Sequence, residues 1–126
     1  MSEAVIDASV ILAIAKNERI DEIAVSIIDG GVMSTVNISE VYAKLADLKM
    51  NSTKVKPLLD TLSRIEPLSL PQARLAGFLR DRTRHAGLSL GDRCCLALAI
   101  ELRAEVYTTE HVWSRVDVGC KIHLLR

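Results

Sequence analysis

The sequence predicts an α/β protein in which helices cover both faces of a short, mainly parallel central sheet, forming three layers. Short apolar runs alternate along the chain with longer segments of helical periodicity. Alternation at these lengths is typical of parallel strands joined by right-handed crossovers. With 126 residues, 49% of them hydrophobic and 25% charged, the chain suits one compact core. We therefore expect a single domain spanning residues 1–126.

Strands are predicted where short apolar or β-branched runs are bounded by turn-forming or polar residues. These runs are 3–6, 32–36, 105–108 and 120–125. Pro67 and Pro71 bracket a further short extended piece at 68–70.

Helices are predicted where apolar residues recur every three or four positions. These segments are 9–16, 18–29, 37–50, 51–65, 72–85 and 89–103. The pair Gly30 and Gly31 ends the second helix, and Gly87 ends the fifth. Asn37 is predicted to cap the third helix.

Charge and composition exclude several classes of protein. The 16 basic and 16 acidic residues cancel, so any nucleic acid must be held by a local patch or by metal. The longest apolar run, residues 94–100, is far shorter than the roughly 20 residues of a membrane span. With no positive segment at the amino terminus, we expect a cytoplasmic protein. The three cysteines lack metal-ligand spacing and are interpreted as apolar filler.

Four acidic residues stand at the ends of apolar stretches that are far apart in the chain: Asp7, Glu40, Asp92 and Glu110. Ligand sites in parallel sheets form outside the carboxyl ends of the strands, where the strand order reverses. We therefore expect these carboxylates to converge there. A group of carboxylates without cations repels itself, which favours a Mg²⁺ or Mn²⁺ site.

Two of these acids also have a purely structural interpretation. Glu40 follows Asn37 by three residues, and Asp92 follows Ser89 by three, which is the spacing of a reciprocal helix cap. Taken singly, each is as well explained as a cap as it is as a ligand. The joint pattern of four acids carries the functional inference.

The same segments resemble a known family. They are Val5-Ile6-Asp7-Ala8-Ser9-Val10, Ile38-Ser39-Glu40-Val41, Leu88-Ser89-Leu90-Gly91-Asp92-Arg93 and Thr108-Thr109-Glu110-His111-Val112-Trp113. Together they look like a PIN domain, most of all the small VapC-type ribonuclease toxins of toxin–antitoxin pairs. One departure is Glu110, since the fourth acid of the family is usually Asp.

This resemblance implies a metal-dependent endoribonuclease whose catalytic acids are Asp7, Glu40, Asp92 and Glu110. Asp7 and Asp92 would bind Mg²⁺ or Mn²⁺, and Glu40 and Glu110 would act directly or through water. Ser9 and Thr108 would hydrogen bond in the outer shell. The resemblance also implies a cognate antitoxin and a homodimer.

Four arginines are candidate RNA contacts, with a solvated helix face as the alternative interpretation: Arg80, Arg82, Arg84 and Arg93.

Two other functions are compatible with the predicted fold. A receiver-like phosphoacceptor domain also has an aspartate after its first strand, but it needs paired acids there and a late lysine. A catalytically silent PIN-like binding domain needs no intact set of acids. An RNA cleavage assay with Mn²⁺ or EDTA separates the silent domain from the nuclease.

Overall fold

The computed structural model describes residues 3–126 and contains five short strands and six α-helices. The strands are β1 (Ala4–Ile6), β2 (Val32–Ser34), β3 (Arg64–Glu66), β4 (Glu105–Thr108) and β5 (Ile122–Leu124). The helices are α1 (Ala8–Ala15), α2 (Ala24–Ile28), α3 (Thr35–Asp47), α4 (Val55–Asp60), α5 (Leu70–Thr83) and α6 (Leu90–Leu102). Two 3₁₀ helices, Arg84–Ala86 and His111–Arg115, complete these elements.

All five strands form one parallel sheet in the order β3-β2-β1-β4-β5. Val5 of the central strand β1 is paired with Val32 of β2 and Val106 of β4. The predicted α/β fold with a mainly parallel sheet is therefore confirmed. The receiver-like alternative is wrong, because receiver domains order their strands 2-1-3-4-5.

Alternating side chains of the strands point to opposite faces of the sheet and build two cores. On one face, Val5, Val32 and Val106 pack with the apolar residues of α5 and α6. On the other, Ile6 and Met33 pack with residues of α1, α2, α3 and α4. The buried run through the middle of α6 and the fully buried Trp113 belong to the first core. Because helices bury both faces of the sheet, its carboxyl edge lies between the two layers of helices.

The helix predicted at 18–29 is wrong at its beginning. Asn17 has a positive φ of 56° after α1, and the N–H of Asp21 donates a 2.6 Å hydrogen bond to Leu125 O near β5. These backbone contacts hold 18–21 outside a helix, and α2 begins only at Ala24. Gly30, with φ of 80°, ends α2 as predicted.

The helix predicted at 51–65 is also wrong at its end, because β3 occupies Arg64–Glu66 instead of the extended piece predicted at 68–70. Its Ile65 is 44% exposed. Arg64 forms ion pairs of 2.9 Å with Glu3 and 2.6 Å with Glu66. A polar strand at the edge of a sheet lacks the apolar alternation on which strand prediction depends.

Every helix within residues 3–126 is too short or too polar to traverse a lipid bilayer.

Candidate active site

A cleft of about 360 Å³ opens at the carboxyl edge of the sheet. β1 lies between β2 and β4, so the strand order reverses beside β1, where ligands bind in sheets of this kind. The cleft is lined by Asp7, Ala8, Ser9, Leu12, Lys16, Glu18, Glu40, Ala43, Lys44, Asp47, Asp92, Thr109, Glu110 and Arg126. All four acids singled out in the sequence therefore line one cleft.

Asp7 follows β1 directly and is only 2% exposed. Its side chain does not cap α1. Instead, its Oδ2 accepts hydrogen bonds of 2.6 Å from Ser9 Oγ and 2.8 Å from Thr108 Oγ1. Burial, together with the nearby charges of Asp92 and Glu40, raises the pKa of Asp7 to about 7, although the two hydroxyl groups oppose the shift.

Asp92 reaches the cleft from the first turn of α6. Ser89 Oγ accepts a 3.1 Å hydrogen bond from the N–H of Asp92, and Asp92 Oδ2 accepts a 2.9 Å bond from the N–H of Ser89. The predicted reciprocal cap is thus confirmed at this position. Asp92 can both cap α6 and line the cleft, because the N–H of Ser89 occupies only Oδ2 and leaves Oδ1 of the carboxylate for the cleft.

Glu40 is half-buried in the second turn of α3. The predicted cap by Asn37 is wrong, because α3 begins at Thr35 and Ser34 Oγ accepts the capping bond from the N–H of Val36 at 3.1 Å. Asn37 Nδ2 instead donates a 2.7 Å hydrogen bond to Glu40 Oε1. Burial and the charge of Asp92 raise the pKa of Glu40, against the effect of the Asn37 bond.

Glu110 is the most exposed of the four acids and precedes the second 3₁₀ helix. Its N–H donates a 3.0 Å hydrogen bond to Thr108 Oγ1, the same hydroxyl that donates to Asp7. Ser9 Oγ likewise accepts a 3.0 Å bond from the N–H of Thr109. The two hydroxyl residues predicted for the outer shell therefore tie the loop after β4 to Asp7.

The donor set fits a hard divalent cation, which prefers carboxylate oxygens. The raised pKa of Asp7 reflects, in part, negative charge that a cation would offset. Among residues 3–126, no three Asp, Glu, His or Cys side chains lie close enough together to hold one ion. A cation bound by three of these acids therefore requires a change of side-chain rotamer.

The three cysteines fit the predicted role of apolar filler. Cys94 and Cys95 are buried, and none of the three forms a disulfide. Burial, followed by the charges of Asp7, Asp92 and Glu40, raises the pKa of the Cys95 thiol well above its usual value. Cys95 therefore lies in α6 beneath the acids as an uncharged thiol.

The arginines predicted to contact RNA are not in the cleft. Arg93 is only 9% exposed, and its Nη1 donates a 2.8 Å hydrogen bond to Ala76 O in α5, which does not fit an RNA contact. Arg82 donates to Asp117 O and Arg84 to Asp81 Oδ1, each at 2.8 Å. Arg80, Arg82 and Arg84 are exposed but do not line the cleft.

Sequence reasoning missed the basic residues that do line the cleft: Lys16, Lys44 and Arg126. Glu18 joins two of them, at 3.3 Å from Lys16 Nζ and 3.3 Å from Arg126 Nη1. No local signal singles them out, since each stands alone in the sequence among residues of other types.

Comparison with known proteins supports the geometric description. The family described as PIN domain matches residues 4–119. No curated protein sequence is significantly similar to this chain. Solved structures of similar fold include the following three.

The chain is 16% identical to VapBC2 from Rickettsia felis bound to a DNA fragment from its promoter, with a TM-score of 0.75 and 98% of each chain covered. It is 19% identical to a toxin–antitoxin complex from Klebsiella pneumoniae, with a TM-score of 0.66 and coverage of 90% of this chain and 91% of that chain. FitAcB from Neisseria gonorrhoeae is also 19% identical, with a TM-score of 0.65 and coverage of 94% and 95%. At these identities the structural similarity establishes the fold.

Proposed function

Because this chain belongs to the PIN domain family, we propose that it is a divalent-metal-dependent endoribonuclease that hydrolyses RNA phosphodiester bonds. The observation that carries the proposal is the shared cleft at the reversal of strand order, lined by Asp7, Glu40, Asp92 and Glu110. We propose that residues 1–126 form one PIN-like domain, which acts in the cytoplasm.

In this proposal Asp7 and Asp92 hold Mg²⁺ or Mn²⁺. Each accepts its protein hydrogen bonds on Oδ2, which leaves the other oxygen as a donor to the cation. A divalent cation, when bound, supplies Lewis-acid polarisation of the phosphate and lowers the pKa of bound water. Glu40 binds the cation directly or orients the attacking water, and Glu110 acts through water from the rim of the cleft.

Ser9 and Thr108 support Asp7 in this scheme. Both hydroxyl groups donate to Oδ2 of Asp7 and so favour its charged form. They also fix the direction of the carboxylate, because each is held by its own contact with the loop after β4. A carboxylate fixed in this way presents its other oxygen to a cation in one direction.

The basic residues of the cleft are the better candidates for contact with the RNA backbone. Lys16, Lys44 and Arg126 line the same cleft as the acids, whereas Arg80, Arg82 and Arg84 do not. Contacts of this kind bind phosphate without selecting a base sequence.

The first experiment measures cleavage of a short single-stranded RNA by the purified protein with Mg²⁺, with Mn²⁺ and with EDTA. We expect cleavage with metal, none with EDTA and none with Asp92→Asn. Asp47→Asn is the matched control, because Asp47 lines the cleft outside the group of four acids. Binding of RNA without cleavage under every metal condition would favour the catalytically silent binding domain, and equal cleavage by Asp92→Asn would contradict the assigned role of Asp92.

We also propose that the protein is the toxin of a toxin–antitoxin pair and acts as a homodimer. The support is the similarity of its fold to a toxin–antitoxin complex from Klebsiella pneumoniae, together with the resemblance of its sequence segments to VapC-type toxins. Large apolar side chains are exposed on α2, on α3 and directly after α3, including Val25, Tyr42 and Leu48, and a protein partner would cover such surfaces.

Growth arrest on induction of the wild type, but not of Asp92→Asn, tests the toxin role. Inhibition of RNA cleavage by a stoichiometric small protein purified with the Asp92→Asn chain tests the antitoxin. Sedimentation of the purified chain tests the homodimer.

A further inference from the structure

Asn37 is a fully buried residue of α3 whose amide joins two parts of the site. Its Nδ2 donates a 2.7 Å hydrogen bond to Glu40 Oε1 and a 3.0 Å bond to the backbone oxygen of Gly91 in α6. Both partners are acceptors, so the nitrogen of the amide must face them. Asn37 therefore links the side chain of Glu40 to the turn of α6 that carries Asp92.

This amide does not serve its own helix. Ser34 caps α3, and Asn37 lies inside the first turn. Its Oδ1 is buried and has no hydrogen-bond partner among the described residues, which costs stability. What the amide contributes is the pair of donors on Nδ2.

Gly91 also lies against the Glu40 carboxyl group. A Cβ atom added at Gly91 would overlap Oε1, Oε2 and Cδ of Glu40. Gly91 has no positive φ, so a larger residue here is opposed by this close approach and not by the backbone conformation, and its Cβ would displace the flexible end of the Glu40 side chain. The carboxylate of Glu40 therefore fits into space that any other residue at this position would occupy.

We propose that Asn37 and Gly91 are positioning residues that hold the Glu40 carboxylate against α6 beside Asp92, an inference that rests on the proposed nuclease function. Glu40 has three side-chain torsions, and Asp92 and Asp7 repel its charge. Without the Asn37 donor and the open space at Gly91, the Glu40 side chain would turn toward solvent. The two contacts keep it in the cleft before a cation binds.

One test removes the donors and measures activity. Asn37→Leu keeps a similar volume but cannot donate, and we expect cleavage to fall about 10- to 100-fold, the usual effect of losing an outer-shell partner. The same substitution in a Glu40→Gln background should cause little further loss, because Asn37 acts through Glu40. Equal losses in both backgrounds, or no loss in the first, would overturn the inference.

A second test needs neither activity nor metal. In EDTA, hydrogen exchange of the Asn37 side-chain amide should be much slower than that of the exposed Asn51. The protection of the proton donated to Glu40 should fall in Glu40→Ala and in Gly91→Ala, while the proton donated to the Gly91 backbone oxygen keeps its partner. Gly77→Ala in α5 is the matched control, because a Cβ there meets nothing within 4 Å, and it should leave the protection unchanged.

The two tests separate the inference from the proposed function. If the wild type cleaves no RNA, the nuclease proposal fails, while the exchange data still decide whether Asn37 and Gly91 position Glu40. If the wild type cleaves RNA and Asn37→Leu cleaves equally well, the nuclease proposal stands and the positioning role is wrong. Exchange at Asn37 as fast as at Asn51 would also overturn it.

Discussion

Thr108 Oγ1 donates a 2.8 Å hydrogen bond to Asp7 Oδ2 across 101 positions of the sequence. The bond joins the ends of β4 and β1, two neighbouring strands of the sheet. Ser9 Oγ donates to the same oxygen and lies 3.2 Å from Thr108 Oγ1. These hydroxyl groups favour the charged carboxylate while burial opposes it, and the balance leaves the pKa of Asp7 at about 7.

The stability of the metal-free protein should therefore decrease as the pH rises toward neutrality. The pKa of Asp7 is about 7 in the folded protein against an ordinary value of 3.8, so the folded state binds the proton more tightly. The resulting stabilisation is fully present below the unfolded pKa and is lost as the pH passes through the folded pKa. Asp7→Asn should remove this dependence.

The measurement is the free energy of unfolding in urea with EDTA, between pH 4 and pH 8, for the wild type and Asp7→Asn. Above pH 7 the variant should be at least as stable as the wild type, because it removes a buried charge. Parallel curves for the two proteins would show that Asp7 titrates near its usual range.

Mn²⁺ or Mg²⁺ should raise the melting temperature of the wild type, because an ion that binds only the folded state stabilises it by mass action. Asp92→Asn should lose most of this rise and all RNA cleavage, whereas Asp47→Asn should keep both. The amide oxygen of the variant can still accept the bond from the N–H of Ser89, so the cap of α6 survives. Equal shifts in wild type and Asp92→Asn would place the ion elsewhere.

Glu110 should be less critical than the two aspartates, because it lies exposed at the rim of the cleft. Glu110→Gln should slow cleavage by about 10- to 100-fold without abolishing it, as expected of an outer-shell residue. Glu110→Asp should keep activity near the wild-type level or raise it. The measurement is cleavage rate against Mn²⁺ concentration for the three proteins.

Two results would contradict this ranking. If Glu110→Gln is as inactive as Asp92→Asn, Glu110 binds the cation directly. If it matches the wild type at every Mn²⁺ concentration, only three acids take part in the reaction.

Lys44 should contribute to RNA binding by contacting phosphate. Lys44→Gln in a cleavage-inactive Asp92→Asn background should weaken binding and lower the slope of log K against log salt by about 1. Arg80→Gln is the control, since Arg80 is exposed on α5 but outside the cleft. The reverse ranking, with Arg80→Gln the more harmful, would place the RNA on the arginines of α5.

The order and type of most elements followed from the sequence because local patterns determine them. The strand at 105–108 was predicted with the bounds that it has, and the helix at 89–103 differs from α6 by one residue at each end. The failures are segments controlled by distant contacts. Residues 18–21 are held by the backbone near β5, and β3 forms at the sheet edge by pairing with β2.

The sequence by itself also determined which acids belong together, since each stands where an apolar stretch ends. Only the tertiary structure decided how two of them are held: Asp7 by hydroxyl groups of α1 and β4, and Glu40 by Asn37 and Gly91. It also showed that Lys16, Lys44 and Arg126 line the cleft, whereas Arg80, Arg82 and Arg84 do not.

The physical reason lies in the range of the interactions. Periodicity and helix caps act over three or four residues and can be read from one segment. The hydrogen bond from Thr108 to Asp7 joins residues 101 positions apart, and the bond from Asn37 to Gly91 joins residues 54 positions apart. Such contacts exist only once the crossovers have stacked the helices on the sheet.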